Sequence, residues 1–447
     1  MQEGTDPMQQ EFYAIAEHLF SCLQGDEVAL CSFEGEASDF VRFNHNAARQ
    51  AGSVTQRDFG IDLIRGRRHA EARIALTGER ETDTHRVEGM LAELRERLPA
   101  LPEDPHLLYA TEVRSTEKIG DNGLIDAPEA FGQIVAAGEG KDAVGLFAQG
   151  PVYRGFANSL GQRNWFTTHS FNVEWCFYLR DDKAVKTDYA GFTWEQAELG
   201  KRMARAAEQL ALLDQEPKTI EPGKYRVYLT PGALLEVAET LSWYGFGLKN
   251  HRTKIASLLR MTEGDATLAP GVTISENTGG GVAPNFDMHG FVKPERVVMV
   301  EGGRFRDHLV SPRSAKEYGV ETNGANGWEF PEAFEMEAGE IPQAEVLARL
   351  GTGLYINNLH YINYSDRPAC RMTGMTRFAT FWVEDGALAA PLNVMRFDES
   401  AYRMLGSNLI GLTQERSVIL SSSTYGGREV SSFHLPGALI EDFTLTL

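Results

Sequence analysis

Between residues 225 and 243 the chain reads YRVYLTPGALLEVAETLSW, a strand that has to become a helix at a single residue. Bulky side chains alternate at strand spacing as far as Leu229. Thr230 is placed to cap the next helix, and Pro231 suits the first helical position because it lacks only an N–H that the first turn does not use. Leu234, Val237, Ala238 and Leu241 then recur at intervals of three and four, which predicts a buried stripe on a helix over 231–243. Glu236, Glu239 and Thr240 are expected on the opposite side. Valine and leucine offer no donor atom, so this helix carries no strong set of metal ligands.

The surrounding chain predicts an α+β protein. At 447 residues it exceeds what one core usually supports, and a hydrophobic content of 42% is enough to build two. Residues 214–224, DQEPKTIEPGK, combine two prolines, a glycine and charges in the manner of a linker. We therefore expect an N-terminal mixed α/β domain over residues 1–215 and a β-rich C-terminal domain over residues 216–447, built as a curled sheet or barrel.

In the first half, residues 10–22 have helical periodicity, and 28–33, 40–43 and 59–64 alternate as strands. Residues 83–98 predict a charged amphipathic helix, and Asp126 is a candidate cap for another running through Ala137. The aromatic and β-branched stretch 153–179 reads as two or three strands. Thr193, with Gln196 at capping-box spacing, should open a long helix ending near Leu213. In the second half, a further helix is expected over 252–259. Strands then come next, with hairpin turns at Glu301-Gly302-Gly303 and Glu384-Asp385-Gly386.

Charge and cysteine usage narrow the function classes. Forty-three basic against sixty-three acidic residues give a formal charge of -20, which repels nucleic-acid backbones. No window reaches the apolar length of a membrane span, and the polar start MQEGTDPMQQ lacks signal-peptide character, so a cytoplasmic protein is expected. The four cysteines, Cys22, Cys31, Cys176 and Cys370, show no CxxC spacing and read as free thiols.

Two motifs carry a family resemblance. The lead-in Pro231-Gly232-Ala233-Leu234-Leu235 resembles the PG-x-L-L that precedes HExxxH in the TldD-like members of the TldD/PmbA family. Residues 353–385, GLYINNLHYINYSDRPACRMTGMTRFATFWVED, resemble that family's C-terminal block in its TldE (PmbA) version. Arg371, Met372, Thr373 and Gly374 stand at its VTG-containing segment, Phe381 to Gly386 stand at its FWVENG, and Pro391 lies just beyond. RFNHNAARQAG from Arg42 and PNFDMHGF from Pro284 resemble further family segments, so the likeness spans nearly the whole chain.

Aligned on the lead-in, the family's first histidine falls at Glu236, its glutamate at Val237 and its second histidine at Leu241. The cysteine that completes a TldD-like zinc site falls nearest Ser422, counted back from a last strand placed at 436–447. A zinc hydrolase needs imidazole or thiolate ligands, an open position for water and a base to take the water's proton. With all four positions replaced, the resemblance implies a non-catalytic TldE-like subunit with no cofactor of its own. Its implied partner is a TldD-like HExxxH protease carrying zinc, and the implied substrate is unfolded polypeptide; a homodimer is possible in isolation.

Two other classes stay open at this point: a self-sufficient peptidase with ligands drawn from Glu236, Glu239, His360 and Cys370, and a peptide-binding homodimer that has no protease partner. Other constellations have plainer readings. Gly138-Glu139-Gly140-Lys141 lacks the first glycine and the Ser or Thr of a phosphate loop and reads as a surface turn. Gly279, Gly280 and Gly281 read as a flexible or close-packed loop, and Ser159 as an ordinary loop serine. Asp287 and His289 are expected to form a turn, and His169 and Glu174 to make structural hydrogen bonds.

Overall fold

A computed structural model describes residues 6–180, 183–280 and 283–447. Residues 1–5, which begin the polar N-terminal stretch, and Gly281 of the glycine run lie outside them. The first half is built on one sheet of β1 (Val28–Asn44), β2 (Ala47–Arg65), β3 (Arg68–Ala75), β4 (Thr116–Ile119), β5 (Asp142–Asn158), β6 (Arg163–Arg180) and β7 (Lys183–Gly191). Its order is β3-β2-β1-β5-β6-β4, with β7 on the later part of β6. The helices are α1 (Pro7–Ser21), α2 (Arg80–Arg97), α3 (Ala127–Ala137) and α4 (Gln196–Leu213).

The segments 28–33 and 40–43 are one strand, not two, because the intervening residues keep pairing with both β2 and β5. The stretch 153–179 resolves into β5 and β6. Two expected caps are corrected. Asp126 is the N-cap of α3 and its carbonyl accepts from the Ala130 N–H at 2.9 Å, but its side chain makes no capping hydrogen bond. Thr193 is drawn into a bridge with Gly123, so α4 begins instead after Glu195. A pairing partner elsewhere in the chain outcompetes a local cap.

The second half holds β8 (Gly223–Leu229), α5 (Pro231–Tyr244), α6 (Leu248–Arg252), α7 (Leu259–Thr262) and β9 (Ile274–Asn277). Next come β10 (Arg296–Glu301), β11 (Arg304–Phe305), β12 (Ala333–Met336), β13 (Gly353–Asp366) and β14 (Arg371–Glu384), then β15 (Ala387–Pro391), β16 (Arg396–Ser400), β17 (Leu409–Leu420) and β18 (Ser432–Leu445). The helix expected over 252–259 is not there: α6 ends at Arg252, and Lys254 takes a positive φ of 62°. Both expected hairpins form, with positive φ at both turn residues, Gly302-Gly303 and Asp385-Gly386, which matches the twist of paired strands.

This second sheet curls until its ends meet. β8 pairs in parallel with β13 and antiparallel with β18, so the path β8-β13-β14-β16-β18 returns to its start. The barrel-like expectation for the C-terminal half is met. α5 lies against this ring, and Leu234, Val237, Ala238 and Leu241 share one core with Val227 and Leu229 of β8, Leu354 and Ile356 of β13, and Ala438 and Ile440 of β18. A second core joins the halves: Trp175, Phe177, Met203 and Leu210 of the first pack with Tyr228, Tyr355, Phe381 and Leu439 of the second.

Closing the ring requires backbones to approach where β13 begins. A Cβ added to Gly353 would lie 2.2 Å from the carbonyl oxygen of Arg226 on β8. Neither backbone can rotate away as a side chain would. Gly353→Ala should therefore destabilise the protein by about 1–3 kcal/mol, the usual range for overpacking, read as earlier urea unfolding; an unchanged midpoint would show that these strands separate freely.

Candidate functional site

The site is set by the residue at which β8 stops. Thr230 makes a backbone hydrogen bond to Ile356 of β13, its hydroxyl donates to the Asn357 carbonyl at 2.7 Å, and the same oxygen accepts from the Ala233 N–H at 3.2 Å. One side chain thus ends the strand, caps α5 and fixes the helix rotation. With Pro231 at its first position, α5 turns one face into the barrel and the other toward the first sheet.

Val237 and Leu241 are both 0% exposed and belong to the barrel core. Glu236 lies on the other face with Glu239, opposite β6 and β7. Of the three helix positions at which a TldD-like relative places ligands and base, Glu236 is the one beside the polar cluster. Thr240, expected on the polar side, is buried instead, and its hydroxyl donates back to the Glu236 carbonyl at 2.8 Å. A threonine mid-helix tolerates burial when its hydroxyl is satisfied in this way.

The cluster facing Glu236 contains the groups that sequence reasoning missed. Lys186 of β7 pairs with Glu174 of β6 at 2.9 Å, so Glu174 makes an ion pair here. Burial acts against the Lys186 ammonium, but Glu174 outweighs it and holds its pKa above the ordinary value, with Cys176 and Glu236 contributing. Burial, and behind it Glu174, raises Glu236 against the pull of Lys186. Glu239 is pushed up to about 7 by burial and then by Glu236, while Lys186 pulls it partly back and Glu429 adds to the rise. Lys186 and Glu174 sit on adjacent strands in direct register with Cys176 and Asp188, a juxtaposition that cross-strand pairing creates and local patterning does not reveal.

Beside the cluster, at the start of α5, a cavity of ≈ 290 Å³ is lined by Lys186, Asp188, Arg202, Thr230, Gly232 and Asn357, among others. Asp188 Oδ2 is buried there without a hydrogen-bond partner, and burial pushes the carboxyl up to about 6 despite Arg202 nearby. Asn357 donates to the Lys186 carbonyl at 2.8 Å, tying β13 to β7.

Ser422 lies between β17 and β18, on a loop that returns toward the first half. The loop is held by Arg428, whose buried guanidinium donates to the carbonyls of Gly150 and Ser170 at 3.0 Å and to Ser170 Oγ at 2.8 Å. Glu429, next along, reaches the field of Glu239. His360 stands exposed on β13, and burial, then Arg377 and Lys186, depress its pKa. Cys370 is elsewhere: it is fully buried in the barrel core, its thiol pushed up to about 12 by burial, with Ser257 pulling it partly back. Among the described residues, the two groups of three side chains able to converge on a metal ion are His18–Cys22–Glu88 and Asp62–His69–Glu71. Neither contains Glu236, Glu239, His360 or Cys370.

Elsewhere, Asp287 forms a turn by accepting from the N–H groups of His289 and Phe291 at 3.0 and 2.8 Å, and the His169 ring is 3.2 Å from the Gly120 carbonyl. Gly138 to Lys141 form the turn between α3 and β5, and Ser159 accepts from the Ala29 N–H at 3.1 Å.

Residues 222–447 match the family model of the PmbA/TldA metallopeptidase C-terminal domain. The chain belongs to this family. Its fold resembles that of a Thermotoga maritima protein described as a candidate modulator of a DNA gyrase, with a TM-score of 0.76 and 16% identity over 97% of this chain and 100% of that one. TldE from Thermococcus kodakarensis aligns with a TM-score of 0.74 and 14% identity over 99% of this chain and 100% of its own. A candidate gyrase modulator from Bacteroides thetaiotaomicron gives 0.70 and 14% over 99% of both chains. No curated protein matches. At these identities the likeness establishes a shared fold.

The metallopeptidase family implies zinc, and the helix residues do not fit it. Val237 and Leu241 carry no donor atom and are packed in hydrocarbon, and Glu236 faces an ammonium group. Lys186 pulls the Glu236 and Glu239 carboxylates down only in part, and each stays above its ordinary value. Since Glu239 binds its proton more tightly folded than unfolded, its contribution to stability is complete below its ordinary value of 4.5 and is lost as pH rises through about 7. Glu239→Gln should thus stabilise the protein at pH 8 by on the order of 1 kcal/mol and leave stability at pH 4 unchanged, in urea titrations of both proteins. Equal effects at the two pH values would contradict the proton on Glu239.

Proposed function

We propose that this chain is the non-catalytic, TldE-like subunit of a two-chain zinc metalloprotease of the cytoplasm. It pairs with a TldD-like HExxxH chain, and the two together enclose a chamber for unfolded polypeptide. The observation that carries this reading is the inward packing of Val237 and Leu241, which leaves no base and no second ligand on the helix where an active relative holds its metal. The division into lobes at residue 215 gives the chamber two walls, one from each sheet.

Substrate selection in this reading rests on backbone pairing. β3 pairs with β2 only across Asp58 to Arg65, so the outer edge of β2 over residues 47–56 has no strand beside it among the described residues. An extended peptide can add there as a further strand, which selects unfolded chains with little regard to sequence. The zinc of the partner activates water for amide hydrolysis. Isolated from its mate, the chain can pair with a second copy through the same surface.

Co-expression with an HExxxH chain, followed by cleavage of a denatured protein with and without chelator, tests this. We expect chelator-sensitive cleavage by the pair, none by this chain alone with added zinc, and no loss of the pair's activity in Glu236→Ala. Undiminished cleavage by the partner alone would remove the need for a second subunit. Metal-dependent hydrolysis by this chain alone, abolished in Glu236→Ala, would establish the self-sufficient peptidase instead.

A further inference from the structure

Far from α5, on the first half, α1 and α2 pack side by side and bring together the end of one helix and the middle of the other. His18 is four residues before Cys22, so the two side chains lie on one face at the α1 terminus. His18 Nε2 is 2.6 Å from Glu88 Oε1 on α2 and 3.8 Å from Cys22 Sγ. His85, three residues before Glu88, places Nδ1 3.9 Å from Glu88 Oε2. The ligating atoms of His18, Cys22 and Glu88 all lie within 4.8 Å of one another.

We infer that His18, Cys22 and Glu88 form a structural zinc site that clamps α1 to α2, with His85 or water as the fourth ligand. The donor set is the chemistry zinc prefers: a thiolate, an imidazole and a carboxylate. The spacing agrees as well. With Zn–S near 2.3 Å and Zn–N near 2.0–2.1 Å, tetrahedral ligands place sulfur and nitrogen about 3.5 Å apart, close to the 3.8 Å between Cys22 and His18. The His18–Glu88 pair is shorter than a zinc edge because it shares a proton, so metal entry opens it by less than about 1 Å.

Entry also has a defined proton balance. The Cys22 thiol releases its proton to solvent as the thiolate binds, and the His18 ring proton then sits on Nδ1 so that Nε2 is free for the metal; with one proton released, affinity rises with pH. The neighbouring cation does not block the site, because Arg95 Nε and Nη2 are engaged by Glu27 at 2.7 and 2.8 Å and Nη2 also donates to the Cys22 carbonyl at 3.0 Å. The second group, Asp62–His69–Glu71, is a weaker candidate. It has no thiolate.

Metal stoichiometry and cobalt spectroscopy on the intact chain, stripped with chelator and reloaded, test the site. We expect one Zn²⁺ per chain, binding that strengthens between pH 6 and 8, and a thiolate-to-cobalt charge-transfer band in the near ultraviolet when Co²⁺ is added. Cys22→Ser should abolish the band and weaken zinc binding at least tenfold. His18→Gln should weaken binding similarly, and Glu236→Ala should leave both readouts unchanged. Cys22 is only half-buried, and loss of the band with an unaltered far-ultraviolet spectrum separates ligand loss from misfolding. Failure of the parent chain to bind zinc, or a band that persists in Cys22→Ser, would overturn the assignment. The readouts involve no hydrolysis, so they stand apart from the test of the protease reading.

Discussion

The barrel closes around the apolar face of α5, and the rest of the molecule is arranged by that contact. β8, β13 and β18 each contribute inward-facing aliphatic side chains to the same core as Leu234, Val237, Ala238 and Leu241. Burial of several such side chains at roughly 1.5–3 kcal/mol each is far more than a single cap or ion pair can oppose. The helix therefore cannot rotate to present 237 or 241 to the polar side. Its rotation is set by hydrophobic area, and the opposite face is left with the polar residues that the core excludes.

Those residues make an acid-rich surface pressed against the first sheet. Glu236 and Glu239 lose water as the halves pack, and their mutual repulsion is offset by Lys186, itself held by Glu174. Lysine is a compact, strongly hydrated point charge, and strand register fixes its place beside Cys176, with Glu174 on the neighbouring strand. The loop bearing Ser422 is anchored independently, through Arg428 on the carbonyls of Gly150 and Ser170.

Much of this was legible from local pattern. The strand, cap and helix over residues 223–244 come from alternation, Thr230, Pro231 and a three-and-four repeat, and the two glycine-bearing hairpins come from their need for positive φ. The failures have a common cause. Thr193 looked like a cap but pairs with Gly123, Thr240 looked exposed but bonds back to Glu236, and 252–259 looked helical but is broken at Lys254. At Thr193 a distant bridge partner, at Thr240 burial with a bond inside its own helix, and at Lys254 a local turn outweighed a preference worth a few tenths to about 1 kcal/mol.

The sequence by itself determined the family, the α+β class, the missing donors at Val237 and Leu241, and the helix that carries them, because these depend on residue identity and short-range periodicity. Only the tertiary structure decided that Lys186 of β7 acts on Glu236 of α5, that Cys370 is buried in the barrel core, and that His18 and Cys22 meet Glu88. Those placements join residues tens to hundreds of positions apart, and they are set by strand register and helix packing, for which a one-dimensional pattern holds no coordinate.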